Sequence, residues 1–85
     1  MERRKIGEVF HYFSKIGVAA IRLTDGDLKV GDTIQVQGPT TDLTQVVDSM
    51  QIDRADVPEA GPGDSVGIKV VDRCRGGDHV FKVVE

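Results

Sequence analysis

The chain has 85 residues, of which 39% are hydrophobic and 29% charged, the balance of one small soluble domain rather than a disordered tail. Its net charge is −3, from 11 Lys and Arg against 14 Asp and Glu, so nothing global draws it to nucleic acid and only a local patch could hold a phosphate. A nucleotide-dependent enzyme, which typically needs about 100–200 residues per domain, does not fit in this length.

Read in chain order, periodicity predicts strands throughout. Ile6 to Phe13 is an aromatic and β-branched run with apolar groups on both faces, the first expected strand. Gly17 to Leu23 is a second short apolar run, joined to the first through Ser14-Lys15-Ile16 as a hairpin. Thr24-Asp25-Gly26-Asp27 is a turn signal, and Leu28-Lys29-Val30-Gly31-Asp32 leads through a second Gly-Asp turn into a half-exposed strand over Thr33 to Gln37. Gly38 to Asp42 is expected to be loop, because proline cannot donate to a ladder and glycine weakens a strand. Strand composition resumes over Thr44 to Ile52, with Val46, Met50 and Ile52 on one face. Asp53 to Asp64 holds too many breakers for a helix, and Ser65–Val71 and His79–Val84 are the last two strands, split by the turn Asp72 to Asp78.

About six short strands, all three prolines in loops and no amphipathic helix describe an all-β domain. Without helices to cover a sheet, closure into a barrel is the expected solution, since it removes the edges. With no Trp and 5% aromatics, the core should be mostly Val and Ile. The charged N-terminus is not followed by an apolar run of signal-peptide or membrane-spanning character, and a single cysteine suits a reducing compartment, so a cytoplasmic location with no membrane contact is expected.

Chemistry is mostly absent. There is no glycine-rich loop ending in Lys and Ser or Thr, so no bound nucleotide and no cofactor are expected. His11, Cys74 and His79 are not at metal-ligand spacing, which predicts no metal site. Cys74 lies between Arg73 and Arg75, whose charges would lower a thiol pKa, and His79 is the nearby base; the plainer reading is an unreactive thiol in a basic turn. Arg3-Arg4-Lys5 and Arg73/Arg75 are the basic candidates, and in a barrel whose first and last strands are neighbours they would form one patch. Residues 44–64 carry a net −4 and the remainder +1, so phosphates should approach away from that segment or only around Arg54.

The order of three blocks then resembles the second domain of translational GTPases such as elongation factors Tu and 1A: Asp25-Gly26 through Leu28-Lys29-Val30-Gly31-Asp32-Thr33-Ile34, then Ser49-Met50-Gln51-Ile52, then Ala60-Gly61-Pro62-Gly63-Asp64-Ser65-Val66-Gly67. A closer likeness is to the C-terminal barrel of collagenase-like peptidases, through Tyr12-Phe13-Ser14-Lys15-Ile16-Gly17-Val18, Gly38-Pro39-Thr40-Thr41-Asp42 and Ser49-Met50-Gln51-Ile52. Both resemblances imply a small six-stranded antiparallel Greek-key β-barrel, one domain over 1–85, that is not itself an enzyme, because the nucleotide or peptidase chemistry of those proteins belongs to other domains. The elongation-factor likeness implies a surface for the aminoacylated 3′ end of tRNA, in a loop aligned with Gln51 to Arg54 and at Ser65. Gln51 stands where Glu is usual, Ser65 where Asn is usual, and Asp53 where an aromatic or His is preferred, which removes a stacking surface. The expected function is a stand-alone, non-catalytic barrel that binds an RNA or tRNA end or a translation-related protein partner through Gln51, Asp53, Arg54, Ser65, Arg3, Arg4, Arg73 and Arg75. The alternative is a protein-interaction subunit acting in trans with a separately encoded collagenase-like peptidase or RNA-modifying protein.

Overall fold

The computed structural model describes residues 2–84. Among them there is no helix, and ten strands form: β1 (Glu2–Phe13), β2 (Val18–Leu23), β3 (Leu28–Lys29), β4 (Thr33–Gly38), β5 (Thr41–Val46), β6 (Gln51–Ile52), β7 (Ala55–Asp56), β8 (Glu59–Ala60), β9 (Ser65–Lys69) and β10 (His79–Val84). All ladders are antiparallel, with β3 and β8 forming a separate pair. The main sheet has the order β5-β4-β10-β1-β2-β9-β6-β7, so β10 returns from the end of the chain to lie between β4 and β1. Six of the strands are five residues or longer, and four are two-residue pieces.

The ladder itself does not close. Where β5 approaches the end of β9, one side chain crosses the seam: Gln45 Nε2 donates to the Lys69 carbonyl at 2.9 Å, and the Val71 N–H donates to Gln45 Oε1 at 2.8 Å. A primary amide has the donor and acceptor of a peptide unit, so Gln45 stands in for the strand residue that would have continued the pairing.

The core is aliphatic, as the composition required. Ile6, Ile21, Leu23, Leu28, Ile34, Met50 and Ile68 are each no more than 1% exposed, with Val9, Val36, Val47, Val66 and Val80 filling the space between them. No Phe is in this cluster, and Tyr12 only packs against it from the side. Burying a Val or Ile side chain contributes about 1.5–3 kcal/mol, so this set is what holds so small a domain together.

Several boundaries differ from the sequence expectation: β9 ends at Lys69 rather than Val71, and two short strands, β7 and β8, lie within the breaker-rich stretch Asp53–Asp64. β1 begins at Glu2 rather than Ile6, because Glu2 to Lys5 pair with Phe81 to Val84. The expected loop Gly38–Asp42 is mostly strand: Gly38 pairs with Thr41, leaving only Pro39-Thr40 as a two-residue turn. β5 therefore starts at Thr41 and ends at Val46, and the expected strand Thr44–Ile52 is interrupted over residues 47–50. The interruption puts Val47 in the core and leaves Val46 49% exposed, so Val46 does not share a face with the buried Met50. The break follows from two backbone bonds: the Val47 N–H donates to Asp32 O, and Val47 O accepts from Gly31 N–H. These bonds tie residue 47 to the β3–β4 turn instead of to a ladder.

Candidate functional site: a groove on the outer face of β1, β2, β9 and β6

The floor of the groove is made by small residues in lateral register. Ala20 of β2 pairs with Gly67 of β9, and Gly67 pairs with Gln51 of β6. Two adjacent positions without bulk leave a trough of about 420 Å³, lined on one side by Phe10, Phe13 and Ile16 and on the other by Gln51, Asp53 and Arg54, with Ser65 at the edge.

The phenylalanine wall has a specific cause. Val9 pairs with Ile21 and His11 with Ala20, so Phe10 is an extra residue, a β-bulge in β1. In a regular strand side chains alternate, and residues 10 and 13 would lie on opposite faces. The bulge resets the alternation. Val9 is buried, Tyr12 packs on the core, and Phe10 and Phe13 both emerge on the outer face at 50% and 45% exposure. The Arg22 guanidinium sits over the Phe10 ring at 5.5 Å, and His11 meets Phe13 edge-on at 4.4 Å. The turn that follows closes with Ile16 and Gly17 N–H groups on Phe13 O, Gly17 supplying φ of +66°, and it leaves Ile16 at 61% exposure.

The opposite wall is a two-residue hairpin loop. Ile52 pairs with Ala55, so Asp53 and Arg54 alone make the turn, and both take left-handed backbone, φ 52° and 67°. This is a type I′ turn, for which Asn-Gly is the favoured pair. Two residues with Cβ atoms hold it here at a cost of order 1 kcal/mol or more each. Gln51 is fixed by donating from Nε2 to Asp56 Oδ1 at 3.1 Å. Gln51, Asp53, Arg54 and Ser65, taken from two distant stretches of sequence, thus line one groove. The sequence reading missed Phe10, Phe13 and Ile16. The available signal was the presence of aromatics on both parities of β1, which a single-sided core strand does not need.

The remaining candidates lie elsewhere. β1 and β10 are neighbours, but the antiparallel register places Arg3 opposite Val83, whereas the turn bearing Arg73 and Arg75 lies beside Val9, whose N–H donates to Asp78 O. Six residues of strand, roughly 20 Å, separate the backbones of the two basic segments. Arg3 is engaged structurally: Nη1 donates to Gln35 Oε1 and Gln37 Oε1 at 2.9 and 2.7 Å, and its guanidinium covers the Phe81 ring at 4.1 Å. Arg4 is exposed on β1 opposite Lys82. The Cys74 thiol is not activated by its arginine neighbours. It is 2% exposed, and burial pushes its pKa up from 9.0 to about 11, with the carboxylates of Asp78 and Asp72 adding in the same direction. His79 is on the exposed side of β10, its ring 6.4 Å from that of Phe81. Among the described residues, no three His, Cys, Asp or Glu side chains gather as a metal would require, and no helix is long and apolar enough to cross a membrane.

The fold is a small antiparallel β-domain with a groove on the outside of its main sheet. Residues 17–73 match the family model of elongation factor Tu domain 2, and the chain belongs to that family. It is 44% identical over 82 residues to an uncharacterised protease of Methanocaldococcus jannaschii, and 30% identical over 82 residues to a collagenase of Porphyromonas gingivalis. These alignments cover 95% of the chain but 20% and 23% of the relatives, so the chain spans about a fifth of the length of the curated proteins it matches. Its fold is shared by the C-terminal domain of a protein described as a U32 peptidase from Geobacillus thermoleovorans, with TM-score 0.87, 22% identity, and coverage of 94% of this chain and 92% of the other. A selenomethionine variant of that domain gives 0.85 at 21% identity, covering 91% and 96%.

Proposed function

We propose that this domain is a non-catalytic binding module whose groove receives the single-stranded 3′ end of a tRNA or a similar RNA. One observation carries the reading: Gln51, Asp53, Arg54 and Ser65 converge with the exposed faces of Phe10 and Phe13 on a trough floored by Ala20 and Gly67. Base stacking on an aromatic side chain is worth about 1–3 kcal/mol, and Phe10 and Phe13 restore the stacking surface that Asp53 does not offer. Arg54 brings a donor fork for a phosphate or ribose, while Asp53 beside it and the −4 charge of residues 44–64 limit contact to a chain end rather than a long phosphate track. In this reading the curled sheet is a six-stranded Greek-key barrel built on β1, β2, β4, β5, β9 and β10, with Gln45 sealing the seam. The domain acts in the cytoplasm, where its one thiol stays reduced, and the protonated, buried Cys74 supplies no nucleophile.

Amide chemical shifts during titration with tRNA, intact or shortened by its terminal nucleotides, test this. Intact tRNA should move Phe10, Phe13, Gln51–Arg54 and Ser65; binding should weaken as salt rises and fall roughly tenfold in Arg54→Ala. Equal binding of the shortened tRNA, or salt-independent binding that survives Arg54→Ala, would refute it.

A second reading follows from the relatives, in which this domain is one fifth of a longer protein named a protease or collagenase. Here the domain docks on a peptidase-like catalytic protein, in trans or in one longer chain. Mixing it with a peptidase-like protein stripped of its own barrel should then give a stoichiometric complex in size-exclusion chromatography; separate elution would count against docking.

A further inference from the structure

A second hollow, about 230 Å³, opens between the Pro39-Thr40 turn and the turn that precedes β10. The first turn contributes Thr40, Thr41 and Asp42, and the second contributes Asp72, Arg73 and Arg75. It shares no lining residue with the groove.

The two walls are locked together by buried chain. The Asp78 carboxylate occupies the space above Gly38 where any Cβ would stand, and its Oδ2 accepts the Arg75 N–H at 2.8 Å. Cys74 points inward, so Arg73 and Arg75 on either side of it project outward into solvent. Asp42 Oδ1 accepts from Gln35 Nε2 at 3.2 Å, and Asp72 Oδ1 accepts from the Arg73 N–H at 2.7 Å, which engages one oxygen of each carboxylate. Two arginines and two aspartates are therefore among the residues that line one small hollow. Among the described residues none of these guanidiniums forms an ion pair with a carboxylate.

That charge pattern selects its ligand. A simple anion attracted by Arg73 and Arg75 also meets Asp42 and Asp72, and a simple cation meets the reverse. A molecule with both charges a few ångströms apart satisfies both sets. Water occupies about 30 Å³ per molecule in the liquid, so the hollow holds on the order of eight non-hydrogen atoms, enough for a small α-amino acid such as alanine with its roughly six. We propose that this hollow is a binding site for a small zwitterion, a free α-amino acid. Its carboxylate lies on the guanidinium forks of Arg73 and Arg75, which match a carboxylate two bonds at a time. Its ammonium faces Asp42 and Asp72, and the hydroxyls of Thr40 and Thr41 serve the remaining polar contacts. The site is independent of RNA binding in the groove.

Titration of the whole chain with L-alanine, acetate or ethylamine at constant ionic strength, followed by amide shifts, tests the proposal. Alanine should give saturable shifts at Thr40–Leu43 and Asp72–Arg75 and leave Gln51–Arg54 and Ser65 unmoved, while acetate and ethylamine at the same concentration give none. The half-saturating concentration should rise at least about tenfold in Arg73→Ala/Arg75→Ala and in Asp72→Asn. Asn keeps the acceptor for the Arg73 N–H, and all three side chains are exposed, so a retained dispersed spectrum separates lost binding from lost fold. Shifts that are linear and unsaturated, acetate shifts equal to those of alanine, or unchanged titration in both variants would overturn it.

Discussion

The left-handed pair Asp53-Arg54 sets stability against binding, and Arg54→Gly separates the two. Residue 54 has φ 67° in a two-residue loop between paired Ile52 and Ala55. Placing an L-residue there costs roughly 1–2 kcal/mol relative to right-handed backbone, which glycine avoids. Glycine in turn loses more backbone entropy on folding, roughly 0.5–1 kcal/mol. The balance is a stabilisation of about 0.5–1 kcal/mol, equivalent to a Tm rise of about 2–8 °C in a domain of this size. Arg54→Ala keeps the Cβ and the strain, so its Tm should stay within about 2 °C of the parent. Both variants should lose affinity for the tRNA end. Thermal unfolding followed by circular dichroism, with amide exchange at Ala55 reporting on the hairpin itself, measures the first effect; titration measures the second. A lower Tm and faster Ala55 exchange in Arg54→Gly would refute the strain argument, and undiminished RNA affinity in both variants would refute the role given to Arg54.

Three further outcomes follow from the packing. Because the Cys74 pKa is raised on folding from 9.0 to about 11, its contribution is complete below pH 9 and is lost as pH climbs through 11. Unfolding free energy should therefore fall by up to about 3 kcal/mol over that window, an effect absent in Cys74→Ala, and the native thiol should react with a disulfide reagent at pH 8 far more slowly than in denaturant. Gly38→Ala drives a Cβ into the Asp78 carboxylate and should destabilise by about 1–3 kcal/mol, seen as a lower midpoint in urea. Gln45→Ala removes both bonds across the seam at about 0.5–1.5 kcal/mol each; amide exchange at Val71 should accelerate while that of the β1–β2 ladder is unchanged.

Strand content was legible because β-branched runs alternate with Gly, Pro and Asp turns, and no segment carried a helical period. The aliphatic core was legible from composition. What escaped was set by register. The bulge at Phe10 depends on how β1 meets β2, and only that pairing turns Phe10 and Phe13 to one face. The early start of β5 depends on Gly38 yielding room to Asp78, a residue 40 positions away in the chain. Gln51, Asp53, Arg54 and Ser65 could be named from the resemblance, but their common trough depends on Ala20 and Gly67 meeting across the sheet. For Cys74 the plainer reading, an unreactive thiol, holds, but its cause lay in the fold: burial first, then the carboxylates of Asp78 and Asp72, raise its pKa despite the flanking Arg73 and Arg75.

Glu2 pairs with Val84, so the two ends of the described chain leave the domain side by side. β1 then runs 12 residues to the hairpin turn at Phe13 and Ile16. Anything covalently joined before residue 2 or after residue 84 is held at that one corner, whichever end it uses. A flexible joint there would act as a pivot for the domain, whichever end carries it. Lengthening a tether at that corner would alter how far the domain reaches without altering its groove.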